Sequence, residues 1–470
     1  MAQRPVIFWF RNDLRLHDNE ALYKAAQATQ HVVPVYCFDP RQFGITTFSL
    51  QKTGRFRTKF LLESLADLRV SLQKIGSNLI IRMGRPEEVL LELAQELNAT
   101  DVYYTRKLAH DEIDVEDALN QRLKEEGITP HPFWGNTLFQ PEDLPFSIDD
   151  MPGTFTEFKK QVLTVAPVRK ALPAPQRLAA VSRIPEGEIP TLPRLGFPDK
   201  PADKRAVLSF KGGEHEGLIR VEEFIWERDL VSCCKNTRNG LLGSNYSSKI
   251  SPWLSNGSLS PRFVYWQVRD YELERVANES TAWVIQELLG RDFFRFIALK
   301  YGTRLFQEEG IKGRDKHQPE DLEKFKDWKK GRTGIPFIDA NIKELNATGF
   351  ISFRGRQTVA SFLVNDLHIN WLMGAEYFES RLIDFDVASN YGNWNYVAGV
   401  ANNPDRHINV LDQAKALDPD GAYVKHWLPE LEHVPAAKVH EPWLLNKTEQ
   451  ELYGVRIGED YPEPVVELEF

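Results

Sequence analysis

Between Gly349 and Tyr396 the chain reads GFISFRGRQTVASFLVNDLHINWLMGAEYFESRLIDFDVASNYGNWNY, a largely helical pattern that holds arginines, carboxylates, an amide and two tryptophans. Arg354 and Arg356 precede the apolar run Val359, Phe362 and Leu363, while Asp384 and Asp386 open a second run. Asn390 follows Asp386 by one helical turn, so the two can share a face. Opposite charges on neighbouring elements can pair without water, whereas each alone would be costly to bury. Taken singly, any of these residues is equally a structural ion pair or a core aromatic. As a group, with Trp371 and Trp394 among them, they suit the burial of a flat, redox-active ring.

Two other segments carry chemistry. In NGLLGSNYSSKISPWL, Asn239 to Leu254, glycines and serines precede a helical run. Exposed backbone N–H groups at a helix start attract an anion, and Lys249 adds a positive charge, which would suit a pyrophosphate; plain helix capping is the alternative. In QELLGRDFFRF, Glu287, Gly290 and Arg291 face one way on a helix and should line a pocket.

These groups need a scaffold. The first part of the chain alternates β-rich runs (VIFWF, HVVPVYCFD, NLIIRM, DVYYT) with amphipathic stretches at 57–74, 86–97 and 112–126, the signature of a parallel sheet with crossover helices. No GxGxxG follows the first strand, so a dinucleotide-binding Rossmann site is not expected. Arg11, Asp13, Arg15 and Asp18 end the first strand, where α/β folds place ligand or interface residues. From about 150 to 205 closely spaced prolines predict an irregular connector, and beyond Glu214 the pattern is helical throughout.

Composition narrows the function classes. A chain of 470 residues with 42% hydrophobic content should build at least two domains. No apolar window approaches about 18 residues and no secretory leader is recognisable, so no membrane span and a cytoplasmic location are expected. Three cysteines, two of them adjacent, form neither a disulfide framework nor a metal-ligand pattern, and no metal is expected. The net charge of −9 repels a polyanion at long range, so nucleic-acid binding would need a local patch. Lys324, Lys326, Lys329, Lys330 and Arg332, or Arg262 and Arg269, are candidates; such runs are equally solvated helix faces.

The strings FWFRNDLRLHDNEAL, SSKISPWLSNGSLSPR, GRQTVASFL and SNYGNWNY resemble the photolyase and cryptochrome family, and GNWNY its cryptochrome-DASH branch. The resemblance runs from Phe8 to about Tyr461. It implies an α/β N-terminal domain with a doubly wound parallel sheet at 1–140, a connector at 141–213, and an all-α FAD-binding domain at 214–470. It also implies that FAD is contacted by Ser247, Ser248, Lys249, Ile250, Ser251, Glu287, Arg291, Arg356, Asp384, Phe385, Asp386 and Asn390. Arg356 and Asp384 would pair over the isoalloxazine, Asp386 would lie near its edge or the ribose, and Asn390 would face N5, where a neutral amide can accept the N5–H of reduced flavin.

Trp394 and Trp371 match the inner and middle members of the family's photoreduction chain. Gln318 stands where the outer tryptophan is expected, which directs attention to Tyr377 or Tyr391 as alternative exits. The substrate pocket would be bounded by Gly290, Phe353, Arg354 and Tyr396. Gly290 replaces the tryptophan that stacks on a flipped-out lesion, and Phe353 replaces an asparagine. Asp111 and Glu112, in HDEIDVE, fall where DASH proteins bind 5,10-methenyltetrahydrofolate as an antenna; a solvated helix start fits them equally.

The implied activity is that of a deoxyribodipyrimidine photolyase: blue-light-driven electron transfer from FAD to cyclobutane pyrimidine dimers, preferably in single-stranded DNA, by a monomer, with Glu287 steadying the lesion. The alternative is a non-repairing photoreceptor or redox-signalling cryptochrome, favoured by Gly290, Phe353, Gln318 and the acidic charge. No histidine lies in 352–357, which argues against (6-4) photoproduct repair.

Overall fold

Five short runs pair into one sheet: β1 (Val6–Phe10), β2 (Val32–Phe38), β3 (Ile80–Met83), β4 (Asp101–Thr105) and β5 (Thr129–Phe133). All are parallel, in the order β3-β2-β1-β4-β5. The structure, a computed structural model, describes residues 4–179, 184–314, 318–402 and 407–468.

Side chains alternate across a strand, so Val6, Phe8 and Phe10 enter one core while Ile7 and Trp9 enter another. The first core is closed by α1 (Glu20–Ala28) and α2 (Arg55–Lys74), the second by α3 (Pro86–Leu97) and α4 (His110–Glu125). Helices on both faces make the sheet doubly wound, as expected, and explain why β1 and β2 are apolar throughout. β5 was not anticipated. Its TPHPF sequence carries two prolines and is half-exposed, a pattern tolerated only at a sheet edge.

The proline-rich connector is less irregular than its composition suggests. α5 (Phe155–Val165) lies ahead of its first closely spaced prolines, and the Thr154 hydroxyl caps it. The helical half follows: α6 (Glu214–Glu222), α7 (Cys234–Thr237), α8 (Ser251–Asn256), α9 (Pro261–Glu274), α10 (Glu279–Tyr301), α11 (Leu322–Lys330), α12 (Pro336–Thr348), α13 (Phe353–Ser361), α14 (Trp371–Arg381) and α15 (Val387–Val397). α13 widens at its C-terminal end into a π turn over Phe362–Asp366. Three further helices, α16 (Val410–Leu417), α17 (Ala422–Trp427) and α18 (Lys447–Tyr453), complete the described chain.

Of the residues that end β1, Arg15 and Asp18 bridge to the helical half, while Arg11 and Asp13 are bound within the sheet domain. Arg15 donates to Gly257 O at 2.8 Å and Asn136 Oδ1 at 2.6 Å, and Asp18 takes both prongs of Arg262, at 2.7 and 2.9 Å. Glu214 accepts from the amides of Leu16 and His17, Asp13 from Thr105, and Arg11 pairs with Glu116. Gly257, at φ +74°, lies so close to Asn12 that a Cβ would fall 1.9 Å from its carbonyl oxygen, so only glycine fits there. Arg262 is therefore a buried domain anchor and not part of a nucleic-acid patch. Arg269 pairs with Glu272, Lys326 with Glu323 and Arg332 with Asp327, all as solvated helix faces do.

Candidate flavin and substrate site

Asp384, on the link between α14 and α15, is the hub of the pocket. Its Oδ2 accepts from the Ser251 hydroxyl at 2.6 Å and from Arg356 at 2.9 Å, so α8, α13 and the α14–α15 link converge on one carboxylate. The other oxygen, Oδ1, is buried without a partner. A buried carboxylate oxygen left unpaired is costly, and a polar ligand group would relieve it. The pairing of Arg356 with Asp384 is as the sequence implied.

The serine loop ahead of α8 forms an anion cradle, though not in the way its lysine suggests. Arg220 on α6 donates to the carbonyl oxygens of Ser244, Ser247 and Ser248 at 3.1, 3.2 and 2.8 Å, drawing the acceptors to one side. The amides of Ser247, Ser248 and Lys249 find no acceptor among the described residues, and Lys249 sits at φ +54°. Successive free N–H groups through a left-handed residue make a concave nest for an anion. Lys249 itself turns away from the cradle. Its amino group donates to Ser244 O at 3.2 Å and lies 3.1 Å from the centre of the Tyr246 ring. Burial, aided by Arg220, pushes it down to about 7.

α10 contributes more than the three residues singled out. Arg291 donates to the carbonyls of Asn136 and Leu254, joining the connector side to α8. Burial, with Arg295 nearby, lowers its guanidinium to about 9. Arg295, not anticipated, pairs with Asp386 at 2.7 Å, and Asp386 also caps α15 through the Ser389 amide. Burial alone would raise the Asp386 carboxyl, but Arg295 and Arg291 hold it far below the usual range. Asp386 is thus held in place by Arg295 and the start of α15. Arg295 was findable: it follows Arg291 by four residues on the same helical face. Asp292, also missed, accepts from the amides of Leu138 and Phe139, and burial pushes its carboxyl up to about 7.

Asn390 is buried and its amide donates to Ala375 O at 3.1 Å, while its Oδ1 meets no donor among the described residues. Trp394 is buried edge-on to Phe378 with ring centres 5.2 Å apart, and Gly374 makes room for it: a Cβ there would stand 2.3 Å from the indole. Trp371 donates to Glu308 O at 3.0 Å, and the backbone N–H of Gln318 donates to the Glu308 carboxylate at 3.2 Å, so the two share Glu308. Tyr391 touches Trp371 at 6.4 Å between ring centres, whereas Tyr377 packs on Trp328 and donates to Lys329 O. Both tyrosines are buried, so neither is itself a surface exit.

The pocket mouth gathers Glu287, Gly290, Phe353, Arg354 and Tyr396. Glu287 is solvent-accessible yet densely surrounded; its carboxyl rises because of that surrounding protein, against the pull of Arg238, the Trp283 indole N–H and Arg354. A Cβ on Gly290 would meet nothing within 4 Å, so open space stands where the family's tryptophan belongs. Phe353 is 50% exposed at the start of α13, Arg354 donates to Asn239 and Gln357, and Tyr396 meets Phe294 edge-on. Phe385 lies under the Arg57 guanidinium at 4.6 Å.

Asp111 and Glu112 stand in the first turn of α4. Asp111 pairs with Lys52 at 2.8 Å and Glu112 with Lys107 at 3.3 Å, so each already has a cationic partner. Among the described residues no group of three or more side chains could hold a metal ion, and no helix is long and apolar enough to cross a membrane.

The comparisons with known proteins converge on this geometry. Residues 6–176 match the DNA photolyase domain and 283–470 the FAD binding domain of DNA photolyase. Cryptochrome DASH of Gloeobacter violaceus is 53% identical over all of this chain and 94% of its own length. The chain belongs to the photolyase/cryptochrome family, in its cryptochrome DASH branch. A crystal structure of a Synechocystis cryptochrome superposes with a TM-score of 0.96 at 48% identity, covering 99% of this chain and 98% of that one. A class III photolyase from Agrobacterium tumefaciens gives 0.88 at 29% identity, covering 99% and 95%.

The chain is accordingly a blue-light flavoprotein with FAD as its cofactor. The pocket fits that group: a nest of free amides for phosphates, the unpaired Asp384 oxygen for a polar edge, and the Asn390 carbonyl oxygen for an N–H donor.

Proposed function

We propose that this protein is a light-driven lyase that splits cyclobutane pyrimidine dimers in single-stranded DNA, acting as a monomer. The observation that carries the reading is the open space before Gly290, bordered by solvent-accessible Glu287 and by the arginines Arg238 and Arg354. The space admits an unpaired lesion, which avoids the unstacking cost of a duplex, but the missing side chain removes a stacking wall and weakens repair. Arg238 and Arg354 supply positive charge for flanking phosphates in a chain of net charge −9. Glu287, with its raised carboxyl, offers a hydrogen bond to the pyrimidine edge.

Reduced FAD, when bound and excited, would lend the dimer an electron and take it back once the two pyrimidines are restored, with no net redox change. Ser251, Arg356 and Asp384 fix its orientation, and Asn390 holds an acceptor toward it. Trp394 and Trp371 are the oxidisable residues that would bring an oxidised flavin to its reduced form under light, with Tyr391 next to Trp371. Residues 1–140 form the antenna-bearing unit, with 5,10-methenyltetrahydrofolate beside Asp111 and Glu112; residues 141–213 connect it to the flavin-bearing unit, 214–470.

Gly290, Phe353 and Gln318 support a second reading, a photoreceptor without repair. Illumination of the reduced protein with ultraviolet-damaged oligothymidine separates the two. Recovery of thymine absorbance supports the lyase; an intact flavin spectrum without recovery leaves the receptor. Under the lyase reading, Gly290→Trp restores an aromatic wall and tightens lesion binding about tenfold. Unchanged lesion affinity in that variant would refute the assigned pocket wall.

A further inference from the structure

α10 carries Trp283, Glu287 and Gly290 at positions i, i+4 and i+7, one continuous face of the helix. Trp253, Trp328, Trp371, Trp394 and Trp427 in this half of the molecule are buried core residues; of the partly buried Trp226, Trp266, Trp283 and Trp443, Trp283 is the one that shares α10 with Glu287 and Gly290. The Arg238 guanidinium covers one face of its indole at 4.0 Å, and no aromatic ring among the described residues packs on the other. Glu287 stands one helical turn further along the same face, next to the indole edge. Such a ring is held ready and has little conformational freedom left to lose on stacking.

We propose that Trp283, backed by Arg238, is a stacking platform for an unpaired nucleobase that neighbours the lesion admitted at Gly290. This rests on the single-stranded DNA reading above. Seven residues of helix separate Trp283 from Gly290, a rise of about 10.5 Å, or about three stacked bases at roughly 3.4 Å each. Trp283 therefore serves the flanking strand, not the dimer. Stacking is indifferent to base identity, since every base presents a π-face, and the Arg238 charge meets a phosphate of the same strand.

The test titrates the flavin-loaded protein with a thymidine dinucleotide and with longer oligothymidines, each with and without a cyclobutane dimer. Trp283→Ala should weaken the longer strands about tenfold, damaged and undamaged alike, and leave the dinucleotide unchanged, while Trp283→Phe keeps most of the affinity. Flavin absorbance and the melting temperature verify that each variant is folded. The platform is overturned if Trp283→Ala binds the longer strands as wild type does, if the dinucleotide loses as much as they do, or if phenylalanine rescues nothing. If the unaltered protein binds no oligothymidine of any length, the single-strand reading fails first and this inference with it.

Discussion

Two polar regions of the molecule are built from similar residues and do opposite things. At the seam between the sheet and the helices, Arg15, Asp18 and Arg262 are buried with their partners in place, and so, beside it, are Arg11, Asp13 and Glu116. In the helical pocket, Asp384 Oδ1 and the amides of Ser247 and Ser248 are left without partners, and the space before Gly290 is open. Burial and charge are shared by both regions, so neither identifies a binding site here. What differs is that the unfilled groups of the pocket cluster around Ser251, within reach of one ligand.

The sharpest way to break this contrast is to unpair the seam. Asp18→Ala strands the Arg262 guanidinium and two further donors, the Ser260 hydroxyl and the Leu172 amide, and should cost about 3–5 kcal/mol in denaturant unfolding. Whatever folds should keep its flavin; loss of flavin without loss of stability would show that the seam is a binding site after all.

Asp384→Ala should do the reverse. With the acceptor of Ser251 and Arg356 gone, flavin retention after gel filtration should fall about 30-fold, while the melting point of the apoprotein changes little. Asp292 sits between the regions, joined to Leu138 and Phe139 but with one oxygen unpaired. Its carboxyl, ordinarily at 3.8, rises to about 7 in the fold, so the folded state holds the proton more tightly. That contribution is complete below about pH 4 and is lost as pH rises through about 7. Asp292→Asn should therefore gain roughly 2 kcal/mol on wild type between about pH 5 and about pH 8, measured by unfolding at each pH. The smallest effect belongs to Lys52→Ala: its exposed partner Asp111 makes the pair worth less than about 1 kcal/mol, and salt should erase the difference.

Much of the scaffold was legible because pattern and burial agree. VIFWF and HVVPVYCFD are apolar throughout because helices cover both faces of the sheet. TPHPF was not, since prolines mask an edge strand, and α5 was hidden by a proline-rich composition that begins only after it. In the pocket, Arg356 and Asp384 were readable as an opposite-charge pair within a familiar string. The inward turn of Lys249 was not, because a left-handed backbone and the pull of Arg220 on three carbonyls come from tertiary contacts. Arg295 and Trp283 were missed for a simpler reason. Arg295 stands inside the string already singled out, one turn past Arg291, and Trp283 stands one turn before Glu287, just outside it.

The Gly257–Asn12 contact has a practical corollary. Backbone pressed on backbone at that distance, ringed by ion pairs, leaves no cleft into which solvent could advance before both halves loosen together. A protease cut in the connector should therefore leave the fragments co-migrating under native conditions and melting in a single transition, separable only by denaturant.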